Sequence, residues 1–208
     1  MMQMNDVVKT LRPFVIGITG GIGSGKSYVS CLLQEHFQVP VYDSDKEAKQ
    51  LTATHPDIKT ALQKLVGQHV YGTDDSLQKE VLALFLFSDD RNAAQVNSII
   101  HPFVKQHFMQ WVQRQETAVV AIESAILFES GFNSLVDGVL YVDAPTDVRL
   151  ERAMKRDGAT AQKIQARMDR QQVQFHREKA DWVLLNNAST DEQLLQQLRH
   201  IVAEATKQ

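Results

Sequence analysis

Apolar and polar positions in this chain alternate in blocks, and the blocks switch between two periods. Phe14, Val15, Ile16 and Ile18 form a run of β-favouring residues that predicts a buried strand. After a glycine-rich break, Val29, Leu32, Leu33 and Phe37 keep a helical period. Val39 to Tyr42 predicts a short second strand, and a helix is expected to start near Lys46. From Asp57 to about Gln115 the pattern is mostly helical. Ile58, Leu62, Leu65 and Val66 form one face, Leu77, Val81, Leu82 and Phe85 another, and Gly72 to Asp75 reads as a turn between them. His101 as cap and Pro102 at the first helical position predict the start of a helix carrying Phe103, His107, Phe108 and Trp111, with Phe108 and Trp111 as core. Ala118 to Ile122 and Val139 to Val142 are continuous apolar runs, the pattern of central parallel strands. A helix over Thr146 to Arg156 ends at Asp157-Gly158 and a second follows. Asp181 to Asn187 predicts the last strand, and Ser189-x-x-Glu192 a capping box for a final helix bearing Leu194, Leu195, Leu198, Ile201 and Val202.

Strands alternating with helices imply an α/β fold with a parallel sheet covered on both faces. The long helical passage interrupts that alternation and reads as an insertion forming the second wall of a cleft. The expectation is one domain over 1–208, with a core of about 12–55, 116–148 and 180–208, an insertion of about 56–115 and a lid of about 149–179.

The break after the first strand carries the clearest chemistry. Gly20-Gly21-Ile22-Gly23-Ser24-Gly25-Lys26-Ser27 fits G-x-x-x-x-G-K-[ST], between a strand and a helix as a phosphate-binding P-loop requires. A polyphosphate needs several N–H donors converging on it. Glycines let the backbone approach closely, and the new helix adds its positive end. Lys26 is expected on the β- and γ-phosphates of a nucleotide and the Ser27 hydroxyl on Mg²⁺.

Carboxylates at strand ends come next. Asp43 and Asp45 close the second strand, where open α/β sheets bind ligands. Asp45 is either a helix cap or a base that accepts a proton from an attacking hydroxyl. Glu123 and Asp143 each close an apolar strand and have the shape of a Walker-B acid; Glu123 is favoured near metal or substrate. His101 is a structural turn or a ligand contact. Arg149, Arg152 and Arg156 share a helix face, with Arg167, Arg170 and Arg177 following. They form either a solvated surface or a lid that closes over nucleotide and neutralises developing charge.

Composition narrows the setting. A net charge of −3 over 208 residues gives no basic field pointing to nucleic acid. The single cysteine, Cys31, excludes a disulfide framework within the chain and is expected in the core of the first helix. No stretch reaches the ~18 apolar residues of a membrane span, and Met1 to Pro13 lacks the order of a signal peptide. A soluble cytoplasmic protein, monomer or small homo-oligomer, is the expectation.

Together these residues resemble the dephospho-CoA kinase family, P-loop kinases of the nucleoside-monophosphate-kinase type. The resemblance is carried by Gly17 to Ser27, Asp43-x-Asp45, Leu77-x-Lys79-x-x-Leu82, His101-Pro102, Leu127-Phe128-Glu129, Arg152-x-x-x-Arg156-Asp157 and Ala180 to Val183, covering nearly the whole chain. It implies a three-layer P-loop fold and transfer of the ATP γ-phosphoryl to the ribose 3′-hydroxyl of dephospho-CoA, the last step of coenzyme A synthesis. It implies Asp45 as catalytic base, with Lys26 and the lid arginines Arg152 and Arg156 stabilising charge. Asp43 would help to place metal or substrate, and the helical insertion, with Lys79 and His101, would bind the pantetheine-bearing substrate. Asn187 would lie on the adenine side. Three residues depart from the family's usual pattern: the loop after Glu123 lacks a proline, Lys79 replaces an arginine, and Ala188 replaces a glycine. Two other readings are a kinase for another hydroxyl (a nucleoside, a nucleotide or shikimate) and a nucleotide-driven switch. Against a GTP switch, the chain has no Asn-Lys-x-Asp motif.

Overall fold

The computed structural model describes residues 12–187 and 190–207. The N-terminal tail, Ala188 and the predicted cap Ser189 lie outside the described residues.

Five parallel strands form one sheet in the order β2-β3-β1-β4-β5. They are β1 (Phe14–Gly20), β2 (Val41–Asp43), β3 (Val119–Glu123), β4 (Gly138–Asp143) and β5 (Trp182–Leu185). The chain leaves β1 toward β2 on one side and leaves β3 toward β4 on the other. The crevice at the carboxyl ends of β1 and β3 is therefore the topological switch point, where such sheets bind ligands. Register sets Ile18 of β1 against Glu123 of β3, and Asp43 of β2 against the same Glu123.

Both sheet faces are buried, which is why the strands read as unbroken apolar runs. Ile16, Ile18, Leu140 and Val142 pack on one face with Val29, Leu32 and Leu33 of α1 (Lys26–Phe37), and with Leu194, Leu198 and Ile201 of α9 (Asp191–Ala205). Val15, Val120 and Ile122 pack on the other with Val104, Phe108 and Val112 of α5 (Asp90–Gln113). Two smaller cores lie beside the sheet. One joins α5 to α2 (Ser44–Thr54), α3 (Pro56–Val66) and α4 (Lys79–Ser88) around Ile58, Leu62 and Val70. The other joins α6 (Thr146–Asp157) to α7 (Ala161–Met168) around Ala153, Ile164 and Met168, and α8 (Val173–Glu178) follows.

Three local expectations change. The helix expected to start at His101 is one 24-residue helix running through Pro102. An interior proline costs about 3 kcal/mol, and here Val104 and Phe108 are buried beyond it while Val96 is buried before it. Each such side chain contributes about 1.5–3 kcal/mol, so packing outweighs the break. Cys31 is exposed rather than in the core, because the face of α1 that meets the sheet is Val29, Ser30, Leu32 and Leu33. Helix α2 begins at Ser44, and its cap is Asp43, whose Oδ1 accepts the Lys46 N–H at 2.9 Å. Helix α9 begins at Asp191, with Thr190 at its N-cap position making no side-chain cap bond and Asp191 and Glu192 in its first turn.

Candidate active site

The phosphate loop runs from Gly20 at the end of β1 to Ser27 in the first turn of α1. Its shape needs glycine: Gly23 and Gly25 have φ of 75° and 91°, and a Cβ on Gly25 would lie 2.2 Å from Nδ2 of Asn186. The first N–H groups of α1 have no helical partner and face the loop. Two loop N–H groups are already engaged, Ser24 by the Gly21 carbonyl at 3.1 Å and Ile22 by Oε1 of Gln171 at 2.8 Å.

Lys26 lies across this loop, its Nζ donating to the carbonyls of Gly20 at 3.0 Å and Gly21 at 3.3 Å. Burial pushes its ammonium below the ordinary lysine value; Glu123 and Asp45 pull it back up, and Arg156 and Arg149 push it down again. Those four residues therefore share one field with Lys26. The Ser27 hydroxyl donates to Oε1 of Glu123 at 2.7 Å and the Ser30 hydroxyl to Oε2 at 2.8 Å. Of the two strand-closing acids, Glu123 thus sits against the phosphate loop. Asp143 instead pairs with Arg177 of α8 at 3.0 Å.

Asp45 stands two residues after Asp43, in the first turn of α2. Among the described residues its carboxylate accepts no hydrogen bond and forms no ion pair. The surrounding protein raises its pKa above the ordinary carboxylate value, and Asp43 raises it further; Lys49 and Lys26 oppose this. Asp45 also lines a largely apolar cavity of about 1040 Å³ between α2, α4 and α5, shared with Lys79, Leu82, Ile100 and His101. His101 is half-buried, and burial together with Lys105 holds its imidazole below its ordinary value, so it is neutral near pH 7. The predicted substrate residues Lys79 and His101 therefore meet Asp45 in one cavity, while Asp43 is spent on the α2 cap and its register position beside Glu123.

The arginines divide. Arg149 is buried, its Nε donating to the Ile22 carbonyl at 2.9 Å and its Nη2 lacking a partner among the described residues. Arg152 donates to the Asn186 carbonyl at 3.1 Å and to its Oδ1 at 3.4 Å. Arg156 and Arg167 both pair with Asp157, which holds that carboxyl at about 2. Asn186, expected from the sequence only as part of the last strand, is buried and donates from Nδ2 to the Ser24 carbonyl at 2.9 Å, bracing the loop from β5. Asn187, the residue expected on the adenine side, is exposed just beyond it. The doubled asparagine closing the last strand was the available clue; which of the two turns inward depends on the register of β5.

Comparison with known proteins decides the family. The family model for dephospho-CoA kinase matches residues 14–192.

The chain belongs to the dephospho-CoA kinase family.

A curated dephospho-CoA kinase of Bacteroides fragilis is 45% identical over 190 residues, covering 90% of this chain and 91% of that protein. One from Porphyromonas gingivalis is 52% identical over 153 residues, covering 74% and 75%. The crystal structure of TT1252 from Thermus thermophilus superposes with a TM-score of 0.79 at 31% identity, covering 93% of this chain and 98% of that one. The chain is thus a P-loop kinase with the family's five-stranded parallel sheet. The family's reaction, ATP-dependent phosphorylation of dephospho-CoA, is the final step of coenzyme A synthesis. Among the described residues no helix is long and apolar enough to cross a membrane.

Proposed function

We propose that Asp45 is the general base that draws the proton from the ribose 3′-hydroxyl of dephospho-CoA as that oxygen attacks the γ-phosphorus of ATP. The observation that carries this is that Asp45 belongs to two environments at once: it shares the field of Lys26 and lines the cavity that holds His101 and Lys79. A carboxylate with no competing hydrogen bond and a raised pKa is a better proton acceptor than an ordinary aspartate. The apolar cavity suits the pantetheine arm, with Lys79 as a point charge at its rim and neutral His101 as a hydrogen-bonding partner.

Lys26 is already turned to the loop carbonyls and would exchange them for phosphate oxygens. The loop N–H groups of Gly23 and of Gly25 to Ser27 cradle the phosphates, and Asn186 and Arg152 keep the loop in shape from behind. Arg156, electrostatically coupled to Lys26, stabilises charge on the transferring group. The oxygens of Ser27 and Glu123, 2.7 Å apart, are hard donors suited to Mg²⁺. Among the described residues no three acidic, histidine or cysteine side chains cluster. That fits a cation that takes one or two protein oxygens and fills its shell with water and phosphate. Ser27 and Glu123 would hold Mg²⁺, which when bound neutralises charge on the phosphates. The helical insertion of about 56–115 serves as the substrate wall and residues of about 149–179 as the lid. Catalysis is then mostly positioning and electrostatics.

The deciding experiment incubates the purified protein with ATP, Mg²⁺ and dephospho-CoA and looks for coenzyme A by mass, with AMP, UMP, uridine and shikimate in parallel. Coenzyme A formed only with dephospho-CoA is the expected result. ATP binding without that product overturns the acceptor assignment and leaves the phosphate site standing.

A further inference from the structure

Ile22 of the phosphate loop is tied to the lid in three ways. Ile22 donates its N–H to Oε1 of Gln171 at 2.8 Å, and its carbonyl accepts from Nε of Arg149 at 2.9 Å. The Ile22 side chain makes a third tie, packing against the lid core of Ala153, Ile164 and Met168. The approach is close. A Cβ on Gly21 would lie 2.1 Å from Nη2 of Arg149, and a Cβ on Gly23 2.1 Å from the Arg149 carbonyl oxygen. Glycine at these two positions therefore makes room for the lid as well as for phosphate.

Gln171 presents the wrong end for a phosphate ligand. A group that binds phosphate must donate, and Gln171 turns its accepting oxygen to the loop. An acceptor on a loop N–H does not hold the nucleotide; it holds the peptide. It also removes the Ile22 N–H from the set that converges on phosphate.

We propose that Gln171 is a positioning residue for ATP: by pinning the Ile22 peptide opposite Arg149, it makes the shape of the phosphate loop depend on the docked lid. ATP affinity then reports lid docking even though Gln171 touches no phosphate. For its turnover arm alone this rests on the kinase reading above; its binding arm does not.

The test compares Gln171→Leu with Gln171→Glu by calorimetric titration of ATP and by hydrogen exchange at the Ile22 amide. Leucine removes the acceptor, and ATP affinity should fall about three- to tenfold, the scale of one hydrogen bond, with faster exchange at Ile22. Glutamate keeps an acceptor at the same reach, so affinity should stay within about twofold and the amide should remain protected. Turnover with dephospho-CoA should show a raised KM for ATP with kcat nearly unchanged in the leucine variant. Equal losses in both variants would mean a merely structural role and overturn the proposal. So would a glutamate variant worse than leucine, the result expected if the side chain touched phosphate and now repelled it. Unchanged affinity in Gln171→Leu would overturn it as well. Where the leucine variant does not fold, Gln171→Ala removes the same acceptor. A failure of the wild type to make coenzyme A would leave the ATP and exchange results to decide this inference alone.

Discussion

On the phosphate side of the cleft the polar groups are largely held before any ligand arrives. Lys26 rests on the Gly20 and Gly21 carbonyls, both oxygens of Glu123 accept serine hydroxyls, and Asn186 braces Ser24. On the acceptor side there is a wide apolar cavity, and its one carboxylate, Asp45, has no hydrogen-bond partner among the described residues. The contrast separates two tasks. Stabilising a transferring phosphoryl group needs dipoles fixed in advance, since their reorganisation would otherwise add to the barrier. Accepting a proton needs a group left free to take it. Glu123 and Asp45 are both acids near Lys26, yet only the second is unoccupied.

The largest expected effect tests that contrast directly. Asp45→Asn should leave ATP binding nearly intact and lower kcat by about 10²-fold or more, the usual scale for loss of a general base. Turnover near wild type, with the asparagine confirmed by mass, would assign proton removal elsewhere. The acid limb of the pH–rate profile belongs to the same prediction. Asp45 works as a base only when ionised, and its pKa lies above the ordinary 3.8. Wild-type activity should therefore decline at higher pH on acidification than for an ordinary aspartate, and that limb should vanish in the variant's residual rate.

Glu123→Gln comes next. Glutamine can still accept from Ser27 or Ser30 but loses the charge, so the free Mg²⁺ needed for half-maximal rate should rise about 10-fold or more, the range seen when groups supporting a metal are altered. A Mg²⁺ dependence unchanged by the substitution would make Glu123 a brace for α1 and nothing more. Smaller again is Lys79→Met, at the exposed rim of the cavity. The KM for dephospho-CoA should rise a few-fold, within the about 0–1 kcal/mol typical of exposed charge contacts, while the KM for ATP stays put. A change in the ATP KM instead would join two walls described above as separate.

The same contrast decides what could be read from the sequence. The phosphate loop was legible because its chemistry is local: eight consecutive residues between a strand and a helix specify it. The central strands were legible because burial on both faces leaves unbroken apolar runs. The acceptor wall was legible only in outline. His101-Pro102 reads as a helix start by local rules, yet α5 passes through it because Val96, Val104 and Phe108 are all buried against other elements. Cys31 was misplaced by one step of helical phase. Asn186 is legible only as a residue of the last strand and Arg149 only as one of a row of candidate lid arginines, because their particular roles arise from contacts between residues far apart in the chain, Asn186 with Ser24 and Arg149 with Ile22. An arginine on a polar helix gives no local sign that the phosphate loop will cover it.

The smallest expected effect concerns stability, and its sign follows from the raised pKa of Asp45. In the unfolded chain this carboxyl ionises near its ordinary value, and in the folded protein only at higher pH, because burial and Asp43 oppose its charge. Folding is therefore penalised by the ionised form. The penalty is absent below the unfolded pKa, grows as pH rises toward the folded one, and is constant above it. Asparagine carries no charge, so Asp45→Asn should be slightly more stable than wild type at pH 7, with the advantage shrinking as pH is lowered toward 3.8. Thermal midpoints of both proteins across that range measure it. A variant that is less stable at neutral pH would mean that Asp45 makes a favourable contact after all, and the group left free for the substrate's proton would have to be sought elsewhere. A variant that gains stability while losing turnover would show the acceptor side keeping an unfavourable charge because the reaction uses it.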